Sequence, residues 1–188
     1  ARYATWDNFT GRPVDGYRAN RIVGSDVMAD ALREARDRAA ALGYGLLLWD
    51  GYRPQRAVDC FLRWAALPED GNAKARFYPN IARSEMVSQG YVAAKSGHSR
   101  GSAVDLTLYR LDTDALVPMG TDFDFMDERS HHGSGQVPAD AARNRELLLG
   151  VMERSGFEPY AYEWWHYLLK DEPYPDAYFD FPIESAAR

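Results

Sequence analysis

Disulfides are the first thing this sequence excludes. The chain of 188 residues has one cysteine, Cys60, so no intramolecular bridge can form and nothing calls for an oxidising compartment. Cys60 lies in an apolar helical stretch, Gln55 to Leu67, and reads as a small half-buried hydrophobe. Excess positive charge is also missing. The chain carries 22 Lys and Arg against 28 Asp and Glu, so no basic field exists to draw phosphate backbones, and nucleic acid is not an expected partner. No apolar run approaches the roughly 20 residues of a membrane-spanning helix, so no membrane partner is expected. No secretory leader pattern is visible, although the first residue is Ala1 rather than Met, so that absence excludes little. Repeats, low-complexity tracts and long linkers are missing too. What remains is an ordinary globular composition, 46% hydrophobic, long enough for a single domain over residues 1–188 to bury a core.

Within that domain the periodicity is legible. Ser25 to Leu42 predicts a helix, with Ser25 as cap, Met28, Ala31, Leu32, Ala35 and Ala39 at helical spacing, and Gly43 as its left-handed stop. Tyr44 to Trp49 suits a short buried strand, and Pro54 is placed to open the next helix. Val104 to Tyr109 alternates apolar and polar residues, the signature of a strand with one buried face. Pro138 to Ser155 predicts a second long helix and Tyr162 to Leu169 a further strand, while the proline- and aromatic-rich tail from Glu172 to Ile183 is expected to lie extended over the body. Helices and strands do not alternate strictly. The expected class is therefore α+β, with an antiparallel or mixed central sheet and packed helices.

The chemistry-bearing residues sit in these elements. His131 and His132 are adjacent in a Gly/Ser-rich stretch and read as a solvated loop, since neighbouring side chains diverge. His98 precedes Asp105 by seven residues, with a glycine-permitted turn between them, and Asp105 stands on the polar phase of its strand. His166 follows Glu163 by three residues among aromatics. Catalytic zinc takes three protein ligands and keeps a fourth position open, and a desolvated carboxylate is suited to removing a proton from water. Spacing leaves two readings open for His98 and His166: metal ligands, or core histidines satisfied by hydrogen bonds. Arg53, just after the first strand, is either a surface arginine or a guanidinium aimed at developing negative charge. In a regular strand Glu163 and His166 would face opposite sides, so a bulge or turn is expected between them, or Glu163 just outside the strand.

These residues resemble a known family. Ser96-x-His98 followed by Asp105, and distantly by Glu163-x-x-His166, is similar to the pattern of the zinc D-alanyl-D-alanine peptidases, whose fold is shared with Hedgehog signalling domains. Tyr3 to Gly11, Leu47 to Pro54, Ser96 to Leu108, Met119-Gly120 with Phe123-Asp124-Phe125, and Glu163 to Tyr167 extend the resemblance along essentially the whole chain, toward the vancomycin-resistance type of D-Ala-D-Ala dipeptidase. The resemblance implies one Zn2+ on His98, Asp105 and His166, Glu163 as general base and later acid, and Arg53 on the oxyanion. Asp124, Ser96 and Tyr3 would line the cavity for the two ends of the dipeptide. It also implies a cytoplasmic enzyme that removes the cell-wall precursor targeted by vancomycin. A D,D-carboxypeptidase acting on longer muropeptides and a non-catalytic zinc module of the same fold are the alternatives; the presence of Glu163 and Arg53 argues against the second. A homodimer is left open.

Overall fold

A computed structural model describes residues 1–71 and 73–185. Four strands, β1 (Tyr44–Asp50), β2 (Ala103–Arg110), β3 (Phe157–Tyr160) and β4 (Glu163–Leu169), form one sheet in the order β1-β2-β4-β3, antiparallel at every pairing. Helices α1 (Asp26–Ala40), α2 (Gln55–Ala65) and α4 (Ala139–Glu153) pack around it, with a single turn, α3 (Lys74–Phe77), between them. The α+β expectation holds, and its antiparallel form is the one realised.

Local chemistry explains the boundaries. Ser25 accepts a hydrogen bond from the Met28 amide and caps α1 as its position predicts. Pro54 serves as N-cap of α2, just outside the helix rather than in its first turn. The α2 face carrying Phe61 and Trp64 packs on Phe9, with ring centroids 4.8 and 4.9 Å apart, and this joins the irregular N-terminal segment to the core. Cys60 is fully buried rather than half-buried.

Three expectations need correction. The strand expected over residues 104–109 has both faces buried, because Asp105 and Thr107 on its polar phase are each only 2% exposed. Strand β3 was not expected; it contains Pro159, which is tolerated because β3 is an edge strand, where a missing N–H need not break a ladder. The stretch around His131 and His132 is not a solvated loop. The Tyr91 hydroxyl lies 2.9 Å from His131 Nε2, and His132 meets the Tyr167 ring edge-on. Burial lowers the His132 pKa to about 4.

The tail does lie extended over the body. The Phe179 amide donates to the Ser99 carbonyl at 2.8 Å, the Ile183 amide donates to Gly16, and Glu172 forms a two-pronged ion pair with Arg100 at 2.6 Å. The tail therefore fastens the turn that carries His98.

Candidate active site

Sheet register brings the first residues together. Asp105 on β2 pairs with His166 on β4 and with Asp50 on β1, so three polar side chains meet at the same level of the sheet. His98 arrives from the turn before β2. Ser96 caps that turn by accepting from the His98 amide at 3.2 Å, and Gly101, at φ 71°, takes the left-handed conformation that closes it. The Gly101 carbonyl accepts from Ser25 and the His98 carbonyl from the Arg53 amide, which locks the turn to the start of α1 and to the end of β1.

One donor atom from each of His98, Asp105 and His166 lies within 4.8 Å of the others. His98 Nε2 stands 3.1 Å from His166 Nδ1 and 3.3 Å from Asp105 Oδ1, and His166 Nδ1 is 3.0 Å from the same oxygen. The protonation of His98 follows from its other nitrogen. Nδ1 is 2.7 Å from the Gly51 carbonyl, which only accepts, so Nδ1 carries the hydrogen and Nε2 presents its lone pair. Gly51 itself is required by its other neighbour: a Cβ there would meet the Val23 carbonyl at 2.5 Å. Two imidazole nitrogens and a carboxylate oxygen thus face one point, a donor set that suits zinc. A structural hydrogen-bond network fits less well, because it would set lone pairs against one another in a buried place. Asp105 is held well below the usual carboxylate range: burial opposes ionisation, but the two histidines outweigh it.

Glu163 sits at the first position of β4. Its only sheet partner is Tyr160, where the β3–β4 register shifts after Pro159, and β2 does not reach it. That irregularity resolves the alternation problem, because Glu163 and His166 line the same cavity with Oε2 and Nδ1 3.8 Å apart. Burial, then the charges of Asp105 and Asp124, push the Glu163 carboxyl well above its ordinary range, the direction a general base needs.

Arg53 is not a surface arginine. Nε donates to Asp50 at 2.9 Å, Nη2 to Asp105 at 3.3 Å, and the guanidinium lies over the Tyr3 ring at 4.9 Å. Asp50, which sequence reasoning passed over, is wholly buried and also accepts from Tyr17 at 2.7 Å. The available signal was a carboxylate ending an apolar strand three residues before an arginine. On the far wall, both Asp124 oxygens accept from the Tyr3 hydroxyl, at 2.9 and 3.0 Å. Burial, reinforced by Asp105, raises the Asp124 pKa to about 8.

Tyr3, Arg53, Asp105, Asp124, Glu163 and His166 line one cavity of about 250 Å³, to which Ser96, Tyr91, Lys95 and Tyr160 also contribute. That volume falls below the usual range for drug-sized ligands and suits a molecule as small as a dipeptide.

Comparison with known proteins agrees. A family model for D-Ala-D-Ala dipeptidases matches residues 1–184. The D-alanyl-D-alanine dipeptidase of Enterococcus faecium is 65% identical over 184 residues, covering 98% of this chain and 91% of that protein. The one from Streptomyces coelicolor is 64% identical, covering 97% and 91%, and the one from Escherichia coli is 36% identical, covering 89% and 76%. A solved structure of the vancomycin-resistance D,D-pentapeptidase VanY is similar at a TM-score of 0.47 and 19% identity over 82% of this chain and 76% of that one, a likeness that says nothing about substrate.

Proposed function

The chain belongs to the D-Ala-D-Ala dipeptidase family of zinc metallopeptidases, and from that premise we propose that it hydrolyses D-alanyl-D-alanine in this cavity, as one domain, with zinc held by His98, Asp105 and His166. The observation that carries the reading is the convergence of three ligand atoms beside a buried, high-pKa carboxylate in a cavity too small for a long peptide.

Zinc in such a site supplies Lewis acidity, polarising the scissile carbonyl and making water easier to deprotonate. The chain's own residues do the rest. Glu163 takes the proton from the attacking water and returns it to the amine that leaves. Arg53 has Nε and Nη2 committed to Asp50 and Asp105, so its fork is fixed before substrate arrives, and Nη1 has no partner among the described residues. Nη1 is the donor for the developing oxyanion. Tyr3 holds Asp124 toward the dipeptide's ammonium, and the half-buried Ser96 hydroxyl faces the opposite end. The water-excluding ring of Tyr3, Tyr91, Tyr160 and Phe61 strengthens each of these contacts.

We infer a cytoplasmic reaction, because the free dipeptide is the substrate before it is built into the wall precursor. No helix among the described residues is long and apolar enough to cross a membrane. Depleting the dipeptide there removes the structure vancomycin binds. The test is to incubate the protein with D-Ala-D-Ala and L-Ala-L-Ala, with and without a chelator. Release of D-alanine from the first alone, abolished by chelator and restored by zinc, is the expected result. Turnover that survives complete zinc removal would overturn the assignment.

A further inference from the structure

Outside the cavity one buried charge has no acidic counterpart. Arg145, on the inner face of α4, is 4% exposed, and no carboxylate among the described residues pairs with it. Burial pulls its pKa down to about 10. Stripping a guanidinium of water without an anion is unfavourable, and an apolar side chain of similar size would pack as well, so packing alone does not account for it.

Its acceptors do. Nε donates to the Met119 carbonyl at 2.7 Å, Nη2 to Thr121 Oγ1 at 3.2 Å, and Nη1 to the carbonyls of Arg129 at 2.8 Å and His131 at 3.3 Å. Met119 and Thr121 stand at one end of an irregular segment, Arg129 and His131 at the other. The same junction is knitted further by a 2.9 Å bond between the Thr121 and Ser130 hydroxyls, and the Ser130 hydroxyl reaches back to the Phe125 carbonyl at 2.5 Å. In the middle of the segment is Asp124, whose φ of 59° is a left-handed conformation uncommon outside glycine, so its side chain is aimed by a backbone the rest of the segment must hold in place. Thr121 Oγ1 also accepts from Trp164 Nε1 at 2.8 Å, which ties the junction to the residue after Glu163.

We propose that Arg145 is a positioning residue: its guanidinium clasps both ends of the 119–131 segment and thereby sets where Asp124 meets the ammonium of the dipeptide. This rests on the reading of Asp124 as the ammonium's partner. A planar fork can span four acceptors in two directions, and an ammonium cannot. Arg145→Lys therefore keeps the charge and loses the clasp, and Arg145→Met loses both. Thr121→Val, which removes one shared acceptor, serves if the methionine variant does not fold.

The holoenzyme variants are compared with wild type for zinc content, kcat and KM on D-Ala-D-Ala and on N-acetyl-D-Ala-D-Ala, and amide hydrogen exchange of residues 119–131. Both Arg145 variants are expected to keep their zinc and to raise KM for the free dipeptide by roughly tenfold or more, the loss of about one charge-assisted contact. Their kcat should fall far less, their preference for the free dipeptide should shrink by a similar factor, and exchange should speed up across 119–131. A role in stability alone would lower the melting temperature and leave KM and that preference where they were. Native exchange across the segment in Arg145→Lys overturns the clasp, as does an equal loss on both substrates. If wild type itself cleaves the two dipeptides alike, it is the Asp124 reading that fails, and the exchange result still decides the clasp.

Discussion

Replacing Asp124 by asparagine removes one negative charge and almost no volume. Tyr3 can still donate to the amide oxygen, so the wall of the cavity is expected to stand. What disappears is the partner for a substrate ammonium. At about 4 Å and an effective dielectric near 20, such a pair is worth about 4 kcal/mol. Against this stands the cost of ionising a buried acid: with a pKa of about 8, that is at most about 1.4 kcal/mol at pH 7. The second cause of that raised value is the Asp105 charge, which a divalent ion would offset, so the cost in the zinc enzyme is smaller. The net is roughly 2.5–4 kcal/mol, or about 10²- to 10³-fold in kcat/KM. Acetylating the substrate removes the same pair from the other side. Wild type should therefore prefer the free dipeptide over its N-acetyl derivative by about 10²-fold or more, and Asp124→Asn should lose most of that preference. The ratio of the two kcat/KM values cancels every step the substrates share, so its pH dependence isolates the contact. Asp124 is neutral at low pH and cannot pair, so the ratio should rise with pH through a midpoint between the ordinary carboxylate value and about 8, and fall again above about 8 as the free dipeptide's own ammonium loses its proton. It should be flat over that range in Asp124→Asn. Steady-state D-alanine release from both substrates between pH 5 and 8.5 measures it. Equal cleavage of free and acetylated dipeptide by wild type would refute the reasoning and favour a carboxypeptidase.

Three further outcomes are expected. Alanine at His98, Asp105 or His166 should strip the metal, since each supplies one of three converging donors, and elemental analysis finding full zinc in any of them would remove that residue from the ligand set. Glu163→Gln should keep its zinc and lose kcat by about 10²- to 10⁴-fold with a much smaller change in KM, as expected of a proton-transfer group; near-normal turnover would assign the proton to another residue. Arg53→Lys should lose about 10²- to 10³-fold at unchanged zinc content, because an ammonium's three donors share one nitrogen and cannot reach Asp50, Asp105 and the oxyanion as the planar fork does; equal activity would reduce Arg53 to a packing role.

Much of this was legible in the sequence because the signals were local. Ser25 caps α1 with its own side chain. The sequence places His98, Asp105, Glu163 and His166 in elements that do meet, and the resemblance to a known family assigned their roles. The misreadings share a physical cause. Polar residues alternating along a strand suggest solvent, but Asp105 and Thr107 are buried, as is Arg145, which the helical pattern of 138–155 did not single out. Their partners come from segments distant in the chain: His98 and His166 for Asp105, the carbonyls of the 119–131 segment for Arg145. No window of sequence contains those partners. Strand β3 failed for a related reason, since only its position at the sheet edge makes Pro159 acceptable. The register shift that turns Glu163 toward His166 is likewise a property of the β3–β4 pairing and not of either strand.

The electrostatics of the site close only when every partner is counted. Four carboxyl groups, Asp50, Asp105, Asp124 and Glu163, are buried around Arg53, which supplies one positive charge. Three of the four are pushed up, each chiefly by burial and each also by the Asp105 charge, which is the behaviour of an uncompensated acidic cluster. A divalent cation among the histidines contributes two charges and the ammonium of a free dipeptide one. With Arg53 these make four, equal to the ionised carboxyls. Lys95, exposed and also lining the cavity, is the cation available to the substrate's own carboxylate. An acetylated dipeptide leaves the count one charge short, deep in a cavity where water cannot make up the difference. On this argument the preference for a free dipeptide is not a matter of cavity size alone: the ammonium is the last charge that lets Asp50, Asp105, Asp124 and Glu163 all ionise together.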